Sequence, residues 1–152
     1  MRGLDRLGLI DPLRDAIAEG KPFLGLCLGL QLLFDKSEEA PLAGGLGILK
    51  GRVKRFARGP LKVPHMGWNN IIFGRRQNAD LKILNGVSDN SYMYFLHSYY
   101  AKRKDESVIL TETDYGIRFV SGIRKNNIFG FQFHPEKSQR VGLRVLRNFV
   151  NF

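Results

Sequence analysis

Residues 21–34 read KPFLGLCLGLQLLF, and this stretch joins a strand pattern to a helix pattern at one cysteine. The run 22–26 is short and apolar, which is typical of a buried parallel strand. From Leu28 to about Glu38 the apolar residues have helical spacing. A buried strand, a tight turn and a helix in direct succession predict an α/β layer fold.

The cysteine stands in the segment GLCLG (25–29), which has the pattern of a nucleophile elbow with cysteine in place of serine. The sharp turn strains the central residue, and side chains two positions to either side would collide, so Gly25 and Gly29 are expected there. The Cys27 thiol would then be exposed at a helix N-terminus, whose partial positive charge favours the thiolate. The N–H of Leu28 would point at a developing oxyanion. The alternative is an inert, buried cysteine in a glycine-containing turn.

A second motif runs an apolar strand, residues 128–133, directly into His134-Pro135-Glu136. A thiol nucleophile needs an imidazole to exchange its proton and a carboxylate to orient that imidazole. His134 and Glu136 are two positions apart, so an extended backbone directs both side chains to one side. By itself the tripeptide is more often a surface turn, but together with the elbow it predicts a catalytic triad of Cys27, His134 and Glu136.

The same residue types can bind zinc, and the candidates are Cys27, His65, His97 and His134. No two of them have the close spacing of a structural zinc site. Neither a metal nor another cofactor is therefore expected.

Helical spacing over residues 4–18 predicts a helix that is broken near Asp11-Pro12 and capped by Gly20. Residues 138–149 predict a final amphipathic helix. The length of 152 residues is that of one ordinary domain, so residues 1–152 are predicted to form a single domain. Short alternating runs in the second half predict strands at 48–56, 69–73, 92–100, 108–111, 117–123 and 128–133.

The net charge of +10 is unevenly distributed: residues 1–49 carry five basic and seven acidic side chains, and residues 50–152 carry 19 basic and seven acidic ones. A basic half can indicate an anionic partner, but no zinc-finger, helix-turn-helix or RNP motif accompanies it, so nucleic acid is not expected. No apolar run approaches the roughly 18 residues of a membrane span, so no membrane association is expected. The single cysteine and the lack of a signal-peptide pattern favour the reducing cytoplasm.

Four segments carry a resemblance to a known family: KPFLGLCLGLQLLF (21–34), KVPHMGWN (62–69), YFLHSYY (94–100) and QFHPEKS (132–138). They resemble segments of the class I (triad) glutamine amidotransferases, and among these the glutaminase subunits of imidazole glycerol phosphate synthases are most similar. The resemblance covers essentially the whole chain. Its first and last segments are shared by many amidotransferases, whereas the second is narrower and indicates the subfamily. The implied fold is flavodoxin-like, with a mixed, largely parallel sheet flanked by helices.

The resemblance implies that Cys27 attacks the side-chain amide of glutamine and that His134 protonates the leaving ammonia. Water would then hydrolyse the glutamyl thioester, and Glu136 would orient His134 throughout. By likeness, the glutamine would be held by Gly29, Gln31, Glu39 and the backbone of Ser98 and Tyr99.

The resemblance also implies that the ammonia passes to a separate cyclase subunit, a (βα)₈ barrel that makes imidazole glycerol phosphate in histidine biosynthesis. Trp68, Tyr94 and Lys137 match positions that family members have at that interface, although core packing explains Trp68 and Tyr94 equally well. Two alternatives stay open: an amidotransferase for another acceptor, as in surface-sugar biosynthesis, and an inactive remnant that only binds a partner. A cysteine hydrolase or protease is a weaker alternative, because Gln31 and the segment 64–69 resemble the amidotransferases instead.

By the same resemblance, Met1 aligns inside a helix, and family members carry a further N-terminal segment. That segment holds the first strands of the sheet and a loop that donates a second oxyanion N–H. We therefore expect the chain to lack these N-terminal strands. An exposed sheet edge and a missing oxyanion donor would leave it poorly stable and weakly active.

Overall fold

A computed structural model describes residues 1–74, 81–103 and 105–152. Two short 3₁₀ helices cover Leu81–Leu84 and Pro135–Lys137. Within the described residues, no helix has the length and apolarity that crossing a membrane requires. The α-helices are α1 (Arg2–Arg6), α2 (Ile10–Ala18), α3 (Leu28–Leu32) and α4 (Gln139–Val150). The strands are β1 (Phe23–Leu26), β2 (Phe34–Ser37), β3 (Leu49–Arg55), β4 (His65–Asn70), β5 (Ile72–Phe73), β6 (Tyr92–His97), β7 (Tyr99–Arg103), β8 (Ile109–Asp114), β9 (Arg118–Lys125) and β10 (Ile128–Phe131).

Eight strands form one mixed sheet in the order β1-β10-β9-β7-β3-β2, with β8 on β9 and β5 on β8. Strands β4 and β6 form a separate antiparallel pair. The predicted α/β fold with a mixed sheet and flanking helices is confirmed. A largely parallel sheet was expected, but most of the described strand pairs are antiparallel. Short connections explain the difference, since strands joined by two or three residues, such as β9 and β10, pair antiparallel.

Strand β10 is buried on both of its faces. Phe129 and Phe131 belong to a buried cluster that includes Phe95 of β6 and Val145 of α4. Ile128 belongs to a second cluster, which includes residues of α2, α3 and β3. A strand held between two clusters is a rigid support for the residues that follow its carboxyl end.

The helix after the cysteine is shorter than predicted. It ends at Leu32, and residues 34–37, which were predicted to be helical, form β2. Phe34 is fully buried and pairs in parallel with Leu49 of β3. The N–H of Leu49 also donates to the Leu33 carbonyl at 2.9 Å, so the following loop satisfies the end of the helix. Tertiary pairing therefore outweighs local periodicity here.

Other boundaries differ for simpler reasons. The first helical region is broken at residues 7–9, and Pro12 lies in the first turn of α2, where its missing N–H is tolerated. The predicted strand 92–100 is divided at Ser98 into strands of two different sheets. The final helix starts at Gln139 and ends at Val150, each one residue later than predicted.

Candidate active site

The two catalytic motifs meet at the carboxyl ends of β1 and β10. These strands are parallel neighbours, with Leu26 of β1 opposite Phe131 of β10. The N–H of Cys27 donates to the Phe131 carbonyl at 2.7 Å. His134 follows three residues after Phe131, so both motifs leave the sheet at the same edge.

Cys27 has the strained backbone that an elbow requires, with φ 48° and ψ −101°. A Cβ added to Gly25 would lie 2.6 Å from the backbone of Gly29, which confirms the predicted collision at Gly25. A Cβ added to Gly29 would meet nothing within 4 Å, so the predicted collision at Gly29 is wrong. The backbones of Gly25 and Gly29 approach each other closely, and the absence of a Cβ at Gly25 alone is enough to allow this approach.

His134 is held from both its backbone and its ring. Its Nδ1 lies 2.7 Å from Oε1 of Glu136. Its N–H donates to the Tyr94 carbonyl at 2.8 Å, and its carbonyl accepts the Ser138 hydroxyl at 2.6 Å. A Cβ on Gly142 would overlap the Pro135 carbonyl, so α4 packs directly against this turn. The imidazole and carboxylate are therefore held in the arrangement that the motif predicted.

A cleft of about 380 Å³ adjoins Cys27. Four of the predicted glutamine-binding residues lie in its wall, whereas Gly29, His134 and Glu136 are not among the lining residues. Glu39 is the one acidic residue among those that line the cleft. Its lining consists of Cys27, Leu28, Gln31, Glu39, Pro64, Leu96, His97, Ser98 and Tyr99.

The Cys27 thiol is half-buried, and burial raises its pKa above the ordinary value. The N–H of Leu28 and the side-chain amide of Gln132 oppose this rise in pKa, because both donate hydrogen bonds that favour the thiolate. The carboxylates of Glu136 and Glu39 raise the pKa further. The N–H of Leu28, at the start of the helix, therefore favours the thiolate as expected, but burial has the larger effect on the pKa of Cys27. Helix α3 has five residues, and its end does not outweigh burial.

The backbone carbonyl of Tyr99 accepts hydrogen bonds from two side chains that line the cleft. Gln31 Nε2 donates to it at 3.0 Å, and His97 Nδ1 donates to it at 2.7 Å. Because a carbonyl only accepts, the His97 proton is on Nδ1, and its Nε2 accepts from His65 Nδ1 at 2.9 Å. His65 Nε2 then accepts from the Asn69 amide at 3.3 Å. This order of donors requires both imidazoles to be neutral.

Burial keeps this histidine pair neutral. It lowers the pKa of His65 to about 4 and is the main cause that lowers the pKa of His97 to about 3. Both side chains are buried against aromatic rings, Phe95 and Tyr115 stacking on His65. Within the described residues, no group of three or more His, Cys, Asp or Glu side chains lies close enough to hold a metal ion.

The predicted interface residues lie near each other beside this site. Trp68 of β4 and Tyr94 of β6 are opposite in register, with their rings 6.0 Å apart in an edge-to-face arrangement. Trp68 is 47% exposed, which argues against plain core packing for its ring. Lys137 is exposed in the turn that carries Glu136.

Sequence reasoning did not assign roles to three residues that the structure brings to the site, Gln132, His97 and His65. Gln132 Nε2 lies 3.6 Å from Cys27 Sγ. Its signal in the sequence is an amide inside the apolar run 128–133, where a buried polar group needs partners. The histidine pair has no such local signal, because its members are 32 positions apart.

Comparison with known proteins gives a consistent result. The family model of class I glutamine amidotransferases matches residues 5–151. The chain is 51% identical over 149 residues to the imidazole glycerol phosphate synthase subunit HisH of Aquifex aeolicus, an alignment that covers 98% of this chain and 70% of that protein. It is 48% identical over 148 residues to the subunit HisH of Pyrococcus furiosus, with 96% of this chain and 73% of that protein covered.

Solved structures show the same fold at low sequence identity. A crystal structure of a glutamine amidotransferase superposes with a TM-score of 0.69 at 21% identity, covering 97% of this chain and 69% of the other. The structure of PurLQS from Thermotoga maritima gives a TM-score of 0.71 at 19% identity, covering 94% of this chain and 67% of the other.

Proposed function

Because the chain belongs to the class I glutamine amidotransferase family, we propose that it hydrolyses glutamine and supplies the ammonia to a partner subunit of an imidazole glycerol phosphate synthase, in histidine biosynthesis. One observation carries this proposal. Cys27, which lines a cleft of about 380 Å³, and the hydrogen-bonded His134–Glu136 pair follow neighbouring parallel strands.

In the first half of the reaction, His134 accepts the Cys27 proton as the sulfur attacks the side-chain carbonyl carbon of glutamine. Proton removal by His134 is needed because burial keeps the resting thiol protonated. The amide oxygen becomes an oxyanion, to which the N–H of Leu28 donates. His134 then returns the proton to the leaving nitrogen, and ammonia departs from a glutamyl thioester.

In the second half, His134 accepts a proton from a water molecule that attacks the thioester carbon. The carbon–sulfur bond breaks, and the proton returns to the Cys27 sulfur as glutamate forms. Glu136 stabilises the imidazolium that exists in both halves, through its bond of 2.7 Å to Nδ1. Cys27 must stay reduced for this cycle, which fits the reducing cytoplasm.

The cleft walls supply groups of the right chemistry for the amino-acid end of glutamine. We assign the Glu39 carboxylate to the α-ammonium group, since it is an acidic group in the cleft lining. Gln31, Gly29 and the backbone around Ser98 and Tyr99 would hold the remainder. The Tyr99 carbonyl already accepts two hydrogen bonds, so a backbone contact there would use N–H groups.

For the partner we propose a cyclase subunit with a (βα)₈ barrel, which contacts Trp68, Tyr94 and Lys137. The first two lie in the β4–β6 pair, and β6 also carries Leu96, whose carbonyl accepts from the Cys27 thiol at 3.7 Å. A partner on this pair would therefore cover the surroundings of the nucleophile, and ammonia could pass to it without release into water.

The test is ammonia release from glutamine by the purified chain, with and without a cyclase subunit from an imidazole glycerol phosphate synthase. We expect release that requires Cys27 and that rises when the cyclase is added. Cys27→Ala should reduce it to background, whereas Cys27→Ser should keep the fold and lose nearly all activity. Ammonia release that persists in Cys27→Ala, or a folded native chain that remains inactive with the cyclase, would contradict the proposal.

A further inference from the structure

Gln132 is a buried amide that the triad does not use. Its side chain is fully buried at the end of β10, two residues before His134. Its backbone N–H donates to the Ser121 carbonyl at 2.8 Å, which fixes its position on the sheet. The side-chain amide lies between Cys27 and Gln31, so it contacts both the nucleophile and the wall of the cleft.

The direction of this contact follows from the Tyr99 carbonyl. Gln31 lies 3.0 Å from that carbonyl and must present its nitrogen, because a carbonyl cannot donate. The same nitrogen is 3.0 Å from the Gln132 side chain, so the Gln132 atom at that place is the acceptor Oε1. Gln132 Nε2 is therefore the atom that faces Cys27 Sγ, at 3.6 Å.

We propose that Gln132 is a positioning residue that joins the Cys27 sulfur to the cleft amide of Gln31. Its N–H donates to the sulfur, and its carbonyl oxygen holds the nitrogen of Gln31. Both hydrogens of Gln31 Nε2 are then used, which leaves Gln31 Oε1 to face an incoming molecule. The catalytic meaning of this arrangement rests on the proposed function, but the contact with the thiol does not.

The hydrogen bond has a chemical consequence at Cys27. An N–H donor binds a thiolate more strongly than a thiol, because the bond to the charged form is charge-assisted. In agreement, the Gln132 amide lowers the pKa of Cys27 against the effect of burial. The other charged groups that act on the sulfur are Glu136 after β10 and Glu39 after β2, and His97 of β6 lines the same cleft. His134, the proposed base, stands two residues before Glu136. None of these groups is changed by a substitution at Gln132.

The first test is the pH dependence of Cys27 alkylation by iodoacetamide. Cys27 is the single cysteine, so the mass increase reports on it alone. Gln132→Met has a similar shape and no donor, and at neutral pH we expect alkylation to slow about three- to ten-fold, with the profile shifted to higher pH. Gln132→Glu keeps an acceptor for Gln31 but turns a carboxylate towards the sulfur, so a larger shift is expected. Exposed Gln139→Met is the matched control and should leave the profile unchanged.

The steady-state kinetics of glutamine hydrolysis are a second measurement on the same variants. Because Gln132 acts on the nucleophile and on Gln31, we expect kcat to fall and KM to rise in Gln132→Met. A purely structural role would lower the amount of folded protein and leave the alkylation profile of the folded fraction unchanged. An unchanged profile in folded Gln132→Met would overturn the proposal.

A third measurement does not depend on a variant at Gln132 folding. In the native chain labelled with ¹⁵N-glutamine, a side-chain NH₂ signal should shift as Cys27 ionises, and that pH-dependent shift should be absent in Cys27→Ala. If no glutamine side-chain signal responds, the inference is wrong. Alkylation and this titration need no glutamine hydrolysis, so an inactive chain that shows both shifts would contradict the proposed function and leave the role of Gln132 standing.

Discussion

Glu136 acts on two partners with opposite consequences, and this makes Glu136→Gln informative. The carboxylate stabilises protonated His134 and raises the pKa of Cys27. We expect kcat for glutamine hydrolysis to fall by about 10²- to 10⁴-fold, because the imidazolium loses its counter-charge. Cys27 alkylation should at the same time shift to lower pH. Steady-state kinetics and the alkylation profile measure the two effects.

The control for this variant is Glu19→Gln, which removes a carboxylate at the surface end of α2, where it pairs with Lys21. Glu19→Gln should change neither kcat nor the pH profile of Cys27 alkylation. If Glu136→Gln kept its kcat, residues 134–136 would be an ordinary surface turn, which is what the tripeptide by itself suggests.

The neutral histidine pair predicts how stability depends on pH. The pKa values of His65 and His97 are lowered to about 4 and about 3, so between these values and about 6.5 the unfolded chain binds protons that the folded chain does not. The stability that the pair contributes is therefore fully present above about pH 6.5. It is lost on acidification, by up to about 1.4 kcal/mol per pH unit for each group.

Replacing one member of the pair isolates this effect. His97→Gln keeps a donor for the Tyr99 carbonyl and an acceptor for His65, but it removes one titrating group. We expect a smaller loss of unfolding free energy between pH 7 and pH 4.5 than in the native chain. Urea unfolding at several pH values measures the unfolding free energy of both proteins. If this free energy depended on pH equally in both, the histidine pair would not be held neutral in the folded chain.

At the scale of single residues, the triad was predicted from the sequence, whereas the hydrogen-bonding role of Gln132 was not, and the reason is physical. Cys27, His134 and Glu136 lie in two short motifs, and the spacing within each motif already indicates its catalytic role. The partners of Gln132 lie 105 and 101 positions away along the chain, so only the folded structure brings them together. The net rise in the pKa of Cys27 could not be predicted from the sequence, because it depends on how deeply the folded chain buries the thiol.

At the scale of elements, the elbow depends on one glycine more than on the other. We expect Gly25→Ala to destabilise the fold by several kcal/mol, because its Cβ would lie 2.6 Å from the backbone of Gly29, and backbone cannot move aside cheaply. Gly29→Ala is the matched control, since a Cβ there meets open space. Thermal unfolding of the two variants tests this difference. A stable Gly25→Ala protein would show that β1 and α3 are farther apart than the structure has them.

The same region shows how far an element can be predicted from its own residues. The strand 22–26 and the turn at Cys27 agree with the structure within one residue, because an apolar run and a glycine-flanked turn are local signals. The helix after it was predicted too long, since its apolar spacing continues into residues that pair with β3. A parallel ladder with a strand 15 residues away leaves no local mark.

At the scale of the whole molecule, the sheet gathers charges that are scattered in the sequence. Arg52 of β3 is opposite Lys36 of β2 on one side and Lys102 of β7 on the other, and all three are exposed. Like charges in register are unfavourable for a sheet, so this stripe does not serve stability. The stripe lies on the large sheet, whereas the exposed side chains of Trp68 and Tyr92 belong to the β4–β6 pair.

That pair presents Met66, Trp68, Tyr92 and Leu96 to solvent, because alternate residues of both strands face away from the core. Exposed apolar clusters of this kind mark interaction sites, and buried tryptophans dominate the energy of such interfaces. We therefore expect Trp68→Ala to weaken binding of a cyclase subunit by about thirty-fold or more, measured by titration calorimetry. The glutaminase activity of the chain alone should change little, since Trp68 does not line the cleft. Leu7→Ala removes a comparably exposed side chain between α1 and α2 and should leave binding unchanged. Equal affinities for the Trp68→Ala and Leu7→Ala proteins would place the partner on another face.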